Sequence, residues 1–285
     1  MKILVEGRPA DITLDTEKTL GDVLSGVEMW VSSTGNRIRG VSIDGQSLDS
    51  DEIPAVFDRD VHEIKTLDIT LSAYRDLAAE ALGVLLTTCE LYIHASFEER
   101  PIIAGTWQES PAANFLLTDI SDLHILAERT FSGTGIPAHD LALVAEERLR
   151  EILQPAEEIV SCEEIIKNVA QRMEELPLDV QTGKDNRAAD TMQLFTKTAE
   201  KLFRIFFVMK AEGLCMETFT VEELPAGVFM DEFTGALTEI SAAYENKDTV
   251  LVGDLSEYEL APRILKFFFA LKNSAQNAVT LTQAR

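Results

Sequence analysis

Four histidines (His62, His94, His124, His139) and three cysteines (Cys89, Cys162, Cys215) are the imidazole and thiol groups available for metal or nucleophile chemistry. Glu90 and His94 stand one helical turn apart, as do His124 and Glu128, so each pair shares a helix face and could offer two ligands. A carboxylate-bridged dimetal bundle needs two Glu-x-x-His pairs and two further inward glutamates, and no Glu-x-x-His occurs. Among 49 acidic residues, Glu–His pairs at this spacing read as surface interactions, so neither a metal nor another cofactor is expected. A cysteine nucleophile needs a histidine within hydrogen-bond reach. His94 follows Cys89 by five positions, about 140° around a helix, so the two do not meet locally. The phosphate-cradling Gly-x-x-x-x-Gly-Lys-Ser/Thr loop, the Gly-x-Ser-x-Gly elbow and a strand-borne Gly-x-Gly-x-x-Gly are all missing. Gly133-Thr134-Gly135 follows a helical stretch and precedes Pro137, which makes it a connector between helices. The chemistry-bearing residues therefore lean away from an enzyme.

Binding is the better use for what remains. Phe267-Phe268-Phe269 places three rings on consecutive helix positions, an arc of about 200°. One core does not easily take all three, so at least one is expected to meet a second subunit or another protein. The competing reading is a central helix packed from two sides.

The surface on which such contacts would form is strongly acidic. Acidic residues number 49 against 25 basic, a net charge of −24. Up to Leu71 there are seven basic and fourteen acidic residues, so the excess is spread along the chain. This sign repels phosphate backbones and anionic headgroups, and no nucleic-acid or membrane partner is expected. It suits a basic or amphipathic protein partner, and equally a solvated surface with none. The cysteines lie far apart with no Cys-x-x-Cys, against a disulfide framework or a zinc knuckle, and each sits in an apolar stretch as a small core residue. The opening Met-Lys-Ile-Leu-Val-Glu lacks a signal-peptide pattern. The most apolar stretch, Leu77 to Ile93, carries Glu80 and Glu90 and is shorter than the roughly 20 residues of a span. A soluble, cytoplasmic protein is expected.

The elements that would position these residues divide at about Leu71. Ile3 and Val5 alternate with polar neighbours, Gly7 to Ala10 turns, and Ile12 and Leu14 alternate again, which predicts a hairpin. Thr19-Leu20-Gly21-Asp22 reads as a capping box opening a helix with Leu20, Val23, Leu24, Val27, Trp30 and Val31 at helical spacing. Trp30 on that stripe reads as core more readily than as a docking residue. Ile38, Val41 and Ile43 predict a strand ending at Asp44-Gly45, and Ile64 to Leu71 a last strand whose 64–67 spacing suggests a bulge.

The hairpin, Thr19-Leu20-Gly21-Asp22-Val23-Leu24 and Val41-Ser42-Ile43-Asp44-Gly45-Gln46-Ser47-Leu48 occur in an order that resembles the β-grasp, or ubiquitin-like, fold. The resemblance covers about a quarter of the chain and implies a docking surface. It does not imply sulfur-carrier or conjugation chemistry, because no Gly-Gly tail follows, nor a ferredoxin-type cluster, because the module holds no cysteine.

From residue 72 to about 273 the period becomes 3.6 and predicts a helical bundle. Leu77 to Ile93 is apolar enough for a central helix. Glu98 to Glu109 reads as a loop, and Ser110-Pro111 opens a helix. Ile159 through Leu176 forms a heptad-like seam, Pro177 to Asn186 a polar and cleavable loop, and 187 to 211 a buried helix. Residues 249–253 read as strand or helix, with a bend or restart at Pro262, and 274–285 as a frayed tail. The expected class is α+β: a β-grasp-like module over 1–71, then an all-α bundle over 72–273. The leading reading is a non-enzymatic interaction or scaffold protein, chaperone-like in one form, with a homodimer as a further partner class. The alternative is an enzyme or small-molecule binder with a pocket between module and bundle.

Overall fold

The computed structural model describes the chain apart from residues 11, 13–16, 33, 49–51, 216–217 and 284–285, with side chains described up to Asn277. The architecture is α+β, a mixed sheet followed by helices. Two compact units divide the chain, Met1–Leu149 and Arg150–Arg285.

The first unit begins with β1 (Lys2–Val5), β2 (Arg8–Pro9), α1 (Leu20–Ser32), β3 (Asn36–Ile43), β4 (Gln46–Leu48) and β5 (Thr66–Ala73). The sheet order is β2-β1-β5-β3-β4, with β1 parallel to β5 at its centre and the other pairs antiparallel. Both hairpins turn on two left-handed residues, Glu6-Gly7 at φ 54° and 71° and Asp44-Gly45 at φ 52° and 87°. Each acidic turn residue also ties to β5: Leu71 N–H donates to Glu6 Oε1 (2.5 Å), and the N–H groups of Lys65 and Thr66 donate to Asp44 Oδ1 (2.9 and 2.8 Å). Ile12 lies outside β2, and Leu14 lies outside the described residues.

The irregular 64–67 spacing is a short 3₁₀ turn at Val61–Glu63 ahead of β5. The sheet's register shift lies instead in β3, between Ile38 and Gly40. There a Cβ on Gly40 would come within 2.8 Å of Thr70 Oγ1. The expected capping box forms: Asp22 N–H donates to Thr19 Oγ1 (3.2 Å), and Thr19 N–H to Asp22 Oδ2 (3.0 Å). Leu20, Val23, Leu24, Val27 and Val31 of α1 bury against Ile3, Val41, Ile43, Leu67 and Ile69. Each such side chain contributes about 1.5–3 kcal/mol.

β5 runs without a break into α2 (Tyr74–His94), followed by α3 (Arg100–Gln108), α4 (Pro111–Asp119), α5 (Ser121–Phe131) and α6 (Ala138–Leu153). Side chains fasten the sheet to these helices. Arg37 of β3 pairs with Glu28 (3.7 Å) and with Asp119 of α4 (3.3 Å). Its guanidinium also covers the Tyr74 ring (5.3 Å), which packs on Phe115 (5.9 Å). The division into compact units thus falls at Leu149/Arg150 rather than at the expected step from module to bundle near Leu71.

Helix α2 has 21 residues, and by length and composition alone it could cross a membrane. The apolar stretch Leu77 to Ile93 is thus only part of a longer helix. The helix buries one face, through Ala78, Ala81, Leu82, Leu85 and Cys89, and so is not a central helix. The expected 98–109 loop is largely α3, because Pro101 falls in the first turn, where its missing N–H costs nothing. As expected, Ser110 caps α4 and Gly133 (φ 77°) ends α5, where Thr134 N–H donates to the Arg129 carbonyl (2.8 Å).

The second unit contains α7 (Pro155–Ser161), α8 (Glu163–Gln181), α9 (Asp185–Ala211), the hairpin β6–β7 (Thr220–Val221, Leu224–Pro225), α10 (Ala226–Glu245), α11 (Thr249–Asp254) and α12 (Ala261–Gln283). The heptad-like seam breaks at Cys162. Pro177 is inside α8, and the expected long loop shrinks to a turn at 182–184 with Gly183 at φ 71°. Residues 249–253 are helical, and the tail expected to fray from residue 274 continues α12 to Gln283. A π-helical turn, Leu255–Leu260, joins α11 to α12. Pro262 explains it: proline has no N–H to give and its ring clashes with the carbonyl four residues back, so the helix widens just before it.

Candidate functional site

Burial pushes the Cys89 thiol up to about 12 and Cys215 up to about 11, and it raises Cys162 as well. Such thiols stay protonated near neutrality and are poor nucleophiles. Glu90 and His94 both lie on the exposed side of α2. Glu128 accepts from Gln108 Nε2 (2.7 Å). Among the described residues, no group of three or more His, Cys, Asp or Glu side chains converges as a metal ion would require.

The buried carboxylates hold helices together. Glu151, in the last residues of α6 and itself part of the second unit, accepts from both Arg204 Nε and Nη2 of α9 at 2.9 Å. Glu158 of α7 meets Lys201 (2.7 Å), and Asp179 of α8 meets Arg187 (3.0 Å) and Lys184 (3.4 Å). A buried carboxylate matched to a cation is neutralised in place, and breaking such a pair costs about 3–5 kcal/mol.

The phenylalanine run separates. Phe267 and Phe268 are fully buried, and only Phe269, 42% exposed, is left for a partner. Phe267 lies within an aromatic core, 5.4 Å from Phe203 and 5.6 Å from Phe229 between ring centroids. At about 100° per residue, neighbouring positions 267 and 268 both fit the 264–271–275 stripe, while 269 points away from it. Of the three rings Phe269 alone keeps exposed surface, so the expectation that at least one meets a partner rests on it.

An exposed apolar surface lies on α1, around the tryptophan whose spacing reads as core more readily than as docking. Trp30 is 51% exposed and Met29 77%, although Trp30 has the helical spacing of a core residue. The buried stripe is Leu20, Val23, Leu24, Val27 and Val31, and Trp30 lies about 80° from its centre, at the rim. Two grooves flank this helix. The first, about 530 Å³, lies toward the β1–β2 hairpin and is lined by Val5, Pro9, Ala10, Gly26, Val27 and Trp30, with Arg8 and Glu17 as polar members. The second, about 480 Å³, is lined by Leu24, Met29, Ile38, Ile53 and Phe57, with Glu28 beside them. Ile38 N–H donates to Glu28 Oε2 (3.1 Å), which fixes that carboxylate at the groove wall. Both grooves belong to the sheet domain itself.

Residues 1–73 match a family described as the TP0873 N-terminal domain, a span that ends with the last residue of β5. Residues 157–268 match a domain of unknown function, DUF8042, and lie within the second unit. No curated protein and no solved structure matches the chain. Sheet domain and second unit are therefore similar to two separate families, each matching well under half of the chain.

Proposed function

We propose that the chain is a non-enzymatic interaction protein, a scaffold or chaperone-like holder that receives a basic, amphipathic segment of a partner protein. The observation that carries this is the exposed Met29–Trp30 pair between two apolar grooves on a chain of net charge −24. Large apolar groups half or more exposed beside such grooves are what helix-in-groove recognition uses, and the acidic surface steers a cationic partner. The sheet domain serves as a β-grasp docking module; its strand order, its parallel central pair and the single helix across one face support this. Three free, buried cysteines support a reducing, cytoplasmic setting. The expected homodimer has Phe269 as its remaining candidate contact in the run.

The first groove's volume lies in the range of small-ligand sites, which favours a small-molecule binder as the second reading. The test is calorimetric titration of the full chain with a designed helical peptide bearing one leucine face and one lysine face. Saturable binding, absent for a scrambled peptide of the same composition, supports the interaction reading. No heat from either peptide overturns it.

A further inference from the structure

The two grooves lie on opposite flanks of α1, and the outer face between them has an unusual make-up. Asp22, Ser25, Gly26, Met29 and Trp30 are its exposed residues, while the inner face is buried. Ser25 and Gly26 are small, and a Cβ built on Gly26 would meet nothing within 4 Å. A second backbone can therefore approach α1 closely at this point, with grooves to either side and Met29 and Trp30 standing one turn further on. A pocket for one small molecule needs only one groove. A ridge with a low centre and a groove on each flank instead matches a helix laid across it, which projects large side chains to both sides of the ridge.

The charges select among occupants. Glu17 stands at the first groove, Glu28 at the second and Asp22 at the start of the ridge, with Arg8 the basic residue of the first groove. Asp22 and Glu28 are engaged with backbone N–H groups, and Glu28 also pairs with Arg37 (3.7 Å), so the acidic excess of the whole sheet domain, more than these two carboxylates, sets the field at the ridge. The sheet domain has twice as many acidic as basic residues up to Leu71, so a second copy would bring like charge against like.

From these observations we infer that the outer face of α1 is the seat of the partner. An amphipathic helix with a basic polar face crosses α1 at Ser25–Gly26 and places large apolar side chains in both flanking grooves. This rests on the interaction reading above and adds where and how the partner binds.

Trp30 and Trp107 are the two tryptophans, and Trp107 is only 1% exposed, so quenching by acrylamide reports on Trp30. The full chain is titrated with the leucine–lysine peptide while emission and quenching are followed. The expected result is a blue shift with loss of quenching, both abolished by Trp30→Phe. Gly26→Gln fills the low point of the ridge and weakens binding about tenfold or more. Because glutamine favours a helix more than glycine, this variant should melt no lower than the parent, which separates lost binding from lost fold. Two results overturn the proposal while leaving the interaction reading standing. Peptide binding with quenching and the Gly26→Gln affinity unchanged places the site elsewhere. A dimer in light scattering that already protects Trp30 without peptide means that a second copy covers this face. Equal binding of a leucine–glutamate peptide, or failure of any peptide to bind, overturns both readings together.

Discussion

Single residues hold this fold at points where their chemistry leaves little choice. A Cβ on Gly135 would sit 2.6 Å from the Thr130 nitrogen and 2.7 Å from the Arg129 carbonyl carbon, both backbone atoms. Gly135→Ala must therefore displace the end of α5, and a loss of about 1–3 kcal/mol is expected in thermal or denaturant melting. Glu163 makes a different case. Lys167 and Lys272 beside it hold its carboxyl down at about 2, against an ordinary value of 4.5. Because the folded value is the lower one, its stabilising contribution is present above about pH 4.5 and is lost as pH falls toward 2. The expected outcome is that Glu163→Gln flattens the acid limb of a stability-versus-pH curve in that window. An unchanged limb would assign the acid sensitivity to other carboxylates. At this scale the sequence was a fair guide wherever a residue acts on its own neighbours: Thr19 and Asp22 cap, Asp44-Gly45 turns, Gly133 stops a helix. It was a poor guide to Trp30, because the rim and the centre of an apolar stripe differ by less than one residue's rotation.

Elements depend on such local signals in unequal measure. The β6–β7 hairpin turns on Glu222 and Glu223 at φ 50° and 71°, left-handed values that glutamate adopts only at a cost. No Asn-Gly or Asp-Gly marks it, which is why the hairpin was illegible in the sequence. Glu223→Gly should relieve this strain while keeping the 2.8 Å Glu222–Lys266 pair, and a gain of about 1 kcal/mol is expected in the melting curve. A loss would mean that the flexibility added to the unfolded chain outweighs the strain removed. Prolines misled in the opposite direction. Pro101 and Pro177 read as breaks, yet Pro101 sits in a first turn, where its missing N–H forfeits nothing, and Pro177 is carried inside α8 at the cost of the bond to the carbonyl four residues back. Helix and strand periods were otherwise legible, because each element buries a continuous face and the period records it.

At the scale of the whole molecule, the change of period near residue 71 marked a change of architecture but not the limit of a compact unit. Arg37 shows why: a single side chain on β3 reaches Glu28, Asp119 and the Tyr74 ring, and contacts over such sequence distances leave no periodic trace. Arg37→Ala leaves Asp119, whose side chain is 16% exposed, without this cation. A loss of about 1–3 kcal/mol is expected. In calorimetry the loss should fall on the first unit and leave the thermal transition of the second unaltered. A uniform drop across the whole profile would show that the two units melt as one.

The π-helical turn at Leu255–Leu260 sets the phase of the last helix. On an unbroken α-helix, the buried positions Val252, Leu255 and Ser256 and the buried positions Ile264, Phe267 and Leu271 would be out of phase by about 100°, one residue's rotation. An i→i+5 turn advances less per residue than an α-turn, so six residues of it absorb that difference. The turn thus works like a vernier: it resets the angular origin of everything downstream, and with it decides that Phe267 and Phe268 face inward while Phe269 faces water.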